Sequence, residues 1–369
     1  MPLMNTPKTV DLDITTKCNL RCKHCSHFSS DGDVSTDLAT PEWLKFFEEL
    51  NRCAVMDVCL CGGEPFCHPD LKELITGLVK NRLRFNILSN GTLITEDIAK
   101  FIAESKRCNS VQVSIDGSSP STHDLLRGAG NFFKALEGIK NLRKHSISTA
   151  VRVTIFKGNV RELPEIARLL LEEIGLSGFS TNSASHMGLC RQNAELVQLS
   201  LEEEIIAMEV LTALNKKYQN RISASAGPLA NVKHWRLMLE SLKEGKPPLF
   251  GGGYLTSCGG VNSKLAVRAD GAIIPCLQMP HLELGHINQD DLKELWQNHP
   301  ELKKLRQRRE IPLKNFEFCR DCEYINYCRG GCPALSYTIT GEVYGPSPDA
   351  CLRQFLTKGG RLPLVNTSN

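Results

Sequence analysis

Thr15–Phe28 reads TTKCNLRCKHCSHF and places Cys18, Cys22 and Cys25 within eight residues, with no fourth cysteine on the same loop. A structural zinc site closes its tetrahedron with four protein ligands. Three thiols on one loop therefore describe a centre with one position left free. The spacing C-x3-C-x2-C suits three irons of a four-iron cluster whose fourth iron stays open to a small molecule. A partial zinc site is the alternative.

The run before the loop, VDLDITT, is the first of six short β-branched stretches; DVCLCG, RFNILSN, SVQVSIDG, TAVRVTIF and GFSTNSAS follow. Between them lie amphipathic stretches such as PEWLKFFEELNRC, PDLKELITGLVKN and NFFKALEGIKNLRKH. This alternation predicts βα units and a parallel sheet. The expected fold is α/β, a partial (β/α)6 TIM-like barrel over residues 1–200, whose strand-end loops on one face collect the chemistry. The cysteine loop follows strand one. Residues 201–250, ending near GKPPLFGGGY, read as a helical bridge and linker. Residues 251–358 are dense in cysteine and are expected to be irregular, ordered by the metal they bind; 359–369 form a tail.

The chain has 369 residues and 41% hydrophobic content, enough for a sizeable core. No apolar run reaches about 18 residues and the N-terminus turns polar at once, so no membrane span or signal peptide is expected and the location is cytoplasmic. With 44 basic and 41 acidic residues and 6% aromatics, nothing points to nucleic acid. Sixteen cysteines without a secretion signal favour metal or cluster ligation over disulfides.

Strand two ends in CGGEPF, where Gly62 and Gly63 let backbone approach a ligand and Glu64 can accept from an ammonium group. The cysteine loop and GGEP, one βα unit apart, together resemble the radical S-adenosylmethionine (SAM) superfamily over roughly residues 8–190. The resemblance implies that Cys18, Cys22 and Cys25 hold a catalytic cluster. Its open iron chelates SAM and its electron releases a 5′-deoxyadenosyl radical that abstracts hydrogen from substrate. It also implies that Gly62, Gly63, Glu64 and Pro65 meet the methionyl ammonium. Ser89, Asn90, Ser114, Asp116 and Arg152 resemble positions that hold ribose or carboxylate, although Asn90 and Asp116 beside glycines are also ordinary turn residues.

Further along stand Cys258, then Gly271 and Cys276 as G-x4-C, then CRDCEYINYCRGGC, then Cys351. This register resembles a SPASM domain, which makes the C-terminal region a small irregular iron–sulfur module. The resemblance implies two auxiliary clusters, one on Cys319, Cys322, Cys328 and Cys351 and one on Cys258, Cys276 and Cys332, hence three 4Fe-4S clusters in all. The second set lacks a fourth thiol; either its iron is open or a distant residue such as Cys190 closes it. Cys53, Cys59, Cys61, Cys67, Cys108 and Cys190 otherwise read as small buried hydrophobes, with Cys59 or Cys61 facing the barrel interior. The basic run KKLRQRREIPLK reads as a solvated helix face or a steering patch for an acidic peptide. His24 and His27 read as neighbours of the cluster and not as ligands.

The resemblance implies an oxidoreductase acting on a ribosomal precursor peptide, by cross-linking, epimerisation or oxidation, with a reductant such as flavodoxin or ferredoxin. Any peptide-recognition function is expected in a separate protein or in the SPASM region. The alternative is a tetrapyrrole or other small-molecule substrate, of the haem-pathway decarboxylase type. A non-catalytic electron carrier is the third reading, and GGEP argues against it. Leu277 stands where anaerobic sulfatase maturases carry an acidic base, which argues against that activity. GFSTNSASHMGLCRQNAE and ELWQNHPEL are similar in wording to the SynChlorMet-cassette maturases.

Overall fold

The computed structural model describes residues 3–28, 36–184, 186–246, 251–256 and 258–363. Part of the expected linker, residues 247–250, lies outside the described residues.

Six parallel strands run side by side in chain order: β1 (Thr9–Thr15), β2 (Asp57–Gly62), β3 (Arg84–Ser89), β4 (Cys108–Ser114), β5 (Thr149–Ile155) and β6 (Phe179–Ser183). Helices return the chain between them: α1 (Thr40–Arg52), α2 (Leu71–Lys80), α3 (Glu96–Glu104), α4 (Pro120–Arg127), α5 (Asn131–Lys144) and α6 (Leu163–Arg168). The fold is the expected α/β partial barrel.

Period-two alternation decides which face of each strand meets the helices. Val10, Leu12 and Ile14, Val58 and Leu60, Phe85 and Ile87, Val111 and Val113, and Val151 and Val153 are all buried in one core cluster. In α1, Trp43, Phe46, Phe47 and Leu50 recur at helical spacing and are fully buried in the same cluster. Burying each such side chain contributes about 1.5–3 kcal/mol. The intervening strand residues, Asp11 and Asp13, Cys59 and Cys61, Asn86, Ser110 and Gln112, Ser114 and Arg152, share the opposite face. The barrel interior is therefore polar, unlike the packed apolar layers of a closed barrel.

Two features depart from the expectation. The sheet continues beyond the six strands, to ten among the described residues. On one edge β7 (Ile222–Ala224) pairs with β6; on the other, β8 (Lys264–Val267) lies parallel to β1, followed by β9 (Ala272–Ile274) and β10 (Gly285–His286). The cysteine-dense region is also more regular than expected, with helices Leu292–Asn298, Pro300–Gln307, Pro333–Thr340 and Leu352–Thr357. Its core is shared with the barrel. Leu292 N–H donates to Glu49 Oε1 at 2.8 Å, and the Trp296 indole N–H to the Met4 carbonyl at 2.8 Å.

Candidate active site

The cysteine loop leaves the end of β1 and is gripped from four sides. Gly63 and Glu64 N–H donate to the carbonyls of Thr15 and Lys17 at 2.8 Å each. A Cβ on Gly62 would sit 2.4 Å from the Thr15 carbonyl oxygen, and one on Gly63 would sit 2.3 Å from that of Lys17. These glycines thus admit the backbone of the cysteine loop itself, where the sequence reading assigned them the approach of a ligand. From the end of β3, Asn90 Nδ2 donates to Asn19 Oδ1 at 2.9 Å. From α4, the Leu126 carbonyl accepts from Lys23 N–H at 2.9 Å. After β6, Leu189 and Cys190 N–H donate to the carbonyls of Phe28 and Cys25 at 2.7 and 3.2 Å.

Cys18, Cys22 and Cys25 are thereby held as close neighbours. Burial pushes the Cys18 thiol up to about 12; Leu20 N–H opposes this, while Glu64, Cys22 and Cys67 add to it. Burial pushes Cys22 up to about 11; Arg127 opposes, while Cys25 and Asp116 add. Two further cysteines join the rim: Cys67, whose thiol reaches Asn19 Oδ1 at 3.9 Å, and Cys190 beside Cys25. Cys190 therefore belongs to the N-terminal loop, and its expected alternative role beside Cys258 is not where the structure places it.

Glu64 is 1% exposed, and its carboxylate accepts from Ser89 Oγ at 2.8 Å, Asn90 N–H at 2.7 Å and Phe66 N–H at 3.3 Å. Burial raises it to about 7 against those three donors. Ser89 and Asn90 therefore reach the site through Glu64 and Asn19. Pro65 opens the short turn Pro65–Cys67 that follows.

Asp116 is fully buried and engaged by the protein itself. Its carboxylate accepts from Arg127 Nε at 2.6 Å and Thr154 N–H at 2.8 Å, and lies 3.3 Å from His24. Burial alone would raise it, but Arg127, His24, His123 and the Thr154 N–H outweigh that and hold it below the usual carboxylate range. The expected contact to ribose or carboxylate is thus corrected: Asp116 positions Arg127. Arg127 Nη1 lies 3.9 Å from Cys22 Sγ, and Nη2 lies 3.2 Å from His24 Nε2. Burial keeps His24 neutral, lowering it to about 4. Nothing local in DLLRG announces this role for Arg127, because the partners come from β4 and the distant cysteine loop.

The polar interior lies below the loop. Asp11, Cys59, Asn86 and Ser110 form one row across four strands, and Ser114, Arg152 and Ser180 another. Arg152 Nε donates to Gln112 Oε1 at 3.2 Å, and Lys264 Nζ pairs with Asp11 at 2.9 Å. Arg152 faces this chamber from mid-strand, with the Cys59 thiol near it. Asp13 is raised to about 7 by burial and by Asp11, against a hydrogen bond with Cys61, and His27 lies 3.7 Å from it. The alternation of aspartate in VDLDIT carried the signal for this polar chamber.

The C-terminal cysteines fall into two groups. Burial, then Cys328, Cys351 and Cys322, push Cys319 up to about 11. Burial, then Cys258 and Cys332, push Cys276 up to about 11 against the Gln278 N–H. Among the described residues no three His, Cys, Asp or Glu side chains converge into the shell of one metal ion. Backbone N–H groups also point at the sulfurs: Leu20 to Cys18 and Gly330 to Cys328 at 3.4 Å, Gly260 to Cys258 at 3.3 Å, and Gln354 to Cys351 at 3.4 Å. Such donors favour the thiolate form that iron requires. The residues present fit iron–sulfur clusters.

Residues 12–170 match the radical SAM superfamily, and residues 258–323 match the SPASM iron–sulfur cluster-binding domain. The AdoMet-dependent heme synthase of Methanosarcina barkeri is 29% identical over 355 residues, covering 94% of this chain and 97% of that protein. Mycofactocin maturase MftC of Mycobacterium ulcerans is 25% identical over 360 residues, covering 94% and 88%. Streptococcus suis SuiB bound to its precursor peptide SuiA shares the fold with a TM-score of 0.72 at 15% identity, covering 95% of this chain and 77% of SuiB. No helix among the described residues is long and apolar enough to cross a membrane.

Proposed function

We propose that this chain, which belongs to the radical SAM superfamily and carries a SPASM domain, takes hydrogen from a carboxylate-bearing tetrapyrrole. SAM and iron–sulfur clusters are its cofactors. When bound, they supply a one-electron cleavage whose carbon radical can take hydrogen from an unactivated carbon. The chain's residues supply the rest. Cys18, Cys22 and Cys25 ligate the cluster that meets SAM, and Glu64 receives the ammonium. Arg127, fixed by Asp116, donates to the Cys22 sulfur. Arg152 offers a guanidinium to a substrate carboxylate in the polar chamber. Cys258, Cys276 and Cys332, and Cys319, Cys322, Cys328 and Cys351, hold two auxiliary clusters.

The observation that carries this reading is the end-to-end similarity to a heme synthase, over 94% of this chain and 97% of that protein. A chamber lined by Asp11, Asn86, Ser110, Gln112, Ser114 and Arg152 is polar, and Arg152 gives it a guanidinium for one substrate carboxylate. Action on a ribosomal precursor peptide is the second reading, supported by the similarity to mycofactocin maturase.

The test is anaerobic incubation of the iron-loaded protein with SAM, dithionite and either Fe-coproporphyrin III or a short peptide encoded beside it. The account expects a porphyrin product that has lost carbon dioxide and two hydrogens from a propionate. An unchanged porphyrin with a modified peptide would replace it by the second reading.

A further inference from the structure

The basic run KKLRQRREIPLK is solvated at Lys303, Lys304, Arg309 and Lys314, but two of its arginines turn inward. Arg308 within it is 0% exposed and Arg306 is 8% exposed. Both reach back to the segment that carries Cys258. Arg306 lies over the Trp296 ring and its Nε donates to the Val261 carbonyl at 2.8 Å. The Arg308 guanidinium donates to three carbonyls: Val343 at 2.8 Å, Gly345 at 2.6 Å, and Thr256. Cys258 sits between the two anchor points with φ +61°. Its own N–H donates to Thr256 Oγ1 at 3.2 Å, and its carbonyl accepts from Asn262 Nδ2 at 2.7 Å.

A buried guanidinium needs a counter-charge, because desolvating an unpaired ion costs several kcal/mol. Arg308 has no carboxylate partner among the described residues. The ionisable groups near it are the thiols of Cys332 and Cys258 and the Tyr344 phenol. Tyr344 is itself hydrogen-bonded to Glu301 and has Lys304 over its ring. The other cation near Cys258 is Lys264, which is already paired with Asp11. Among the described residues, the groups placed to become anions beside Arg308 are therefore the thiols of Cys258 and Cys332, as thiolates once iron is bound.

We infer that Arg308 is the built-in counter-cation of the cluster on Cys258, Cys276 and Cys332, and that it raises the reduction potential of that cluster above the one on Cys319, Cys322, Cys328 and Cys351. The inference rests on the reading of these cysteines as two auxiliary cluster sites. A four-iron cluster on three thiolates is anionic and gains a further negative charge on reduction, so a fixed buried cation favours the reduced state. Beside the second group, the cation that acts on Cys319 and Cys322 is Arg353, whose guanidinium binds the Phe318 carbonyl in an exposed setting where solvent screens its charge. Arg308 also ties the folding of residues 256–345 to the presence of the cluster.

The test compares wild type, Arg308→Met, Arg308→Lys and a Cys258/Cys276/Cys332 triple alanine variant, reading iron content, redox titrations followed by electron paramagnetic resonance, and thermal unfolding with and without iron. Arg308→Met should load iron but move one auxiliary potential downward, and should lose more thermal stability when loaded than when iron-free, where only the three carbonyl bonds are given up. Arg308→Lys keeps the charge and should keep the potential near wild type. It serves as the probe if Arg308→Met does not fold, and a potential lowered in the lysine variant would then overturn the inference. An unchanged potential in a fully loaded Arg308→Met would likewise overturn it. Full iron retention in the triple alanine variant would instead remove the cluster assignment beneath it.

Discussion

Nη1 of Arg127 lies 3.9 Å from Sγ of Cys22, and Nε of the same side chain donates to the fully buried Asp116 at 2.6 Å. One buried cation is thus shared between a carboxylate of the barrel and a thiol of the cysteine loop. Removing either member of such a pair leaves an uncompensated charge, which costs about 3–5 kcal/mol. Arg127→Met and Asp116→Asn should each destabilise the protein by about that amount, and the double variant by less than their sum. Chemical denaturation of the four proteins checks this. Additive losses would mean that the pair is not coupled.

Glu64 supplies a pH prediction. Its folded value of about 7 lies above the ordinary 4.5 because of burial. A carboxyl raised in this way favours folding at low pH, and that contribution fades as pH rises from about 4.5 toward 7. An ammonium bound at Glu64 reverses the penalty, so SAM affinity should strengthen as pH rises through about 7. Glu64→Gln should weaken SAM binding roughly ten- to a hundredfold and flatten that pH response. Equilibrium binding at several pH values tests it, and an unaltered profile would remove Glu64 from the SAM site.

Gly63→Ala should undo the docking of the cysteine loop, because its Cβ would sit 2.3 Å from the Lys17 carbonyl oxygen. Backbone cannot yield as a flexible side chain does, and the expected cost is about 1–3 kcal/mol. The protein should load about twelve irons and this variant about eight, with both auxiliary clusters retained. Iron analysis after anaerobic reconstitution reads the difference. Full loading would show that the loop docks without the close approach.

Arg152 should govern substrate rather than SAM. Arg152→Gln removes a charge-assisted contact, so the apparent KM for Fe-coproporphyrin III should rise roughly ten- to a hundredfold, with SAM affinity unchanged. A matching loss of SAM affinity would return Arg152 to the cofactor site.

The six barrel strands were legible because their apolar residues recur at period two, and the Cys18, Cys22 and Cys25 loop because its spacing is local, whereas the grouping of the C-terminal cysteines came from the resemblance alone. β7 to β10 were not, since strands of two to four residues carry almost no periodic signal and exist only by pairing with a neighbour. Arg127 and Cys67 were missed for a related reason: each meets the loop through the fold, from α4 and from the turn after β2, whereas Cys190 was placed on a loop after strand six but its approach to Cys25 was not foreseen. The buried arginines read as surface because KKLRQRRE has a solvated composition; Trp296, the Cys258 segment and three carbonyls draw Arg306 and Arg308 inward. Asp116 looked like a ligand residue in SIDG and proved to be the anchor of Arg127.

The central claim is that Cys18, Cys22 and Cys25 hold the cluster that cleaves SAM. The direct measurement is 5′-deoxyadenosine formed from SAM and dithionite under anaerobic conditions, by wild type and by the Cys18/Cys22/Cys25 triple alanine variant, each reconstituted with iron and sulfide. The account predicts 5′-deoxyadenosine from wild type and none from the variant, although the variant keeps its auxiliary irons. Reductive SAM cleavage by the variant at the wild-type rate would contradict it.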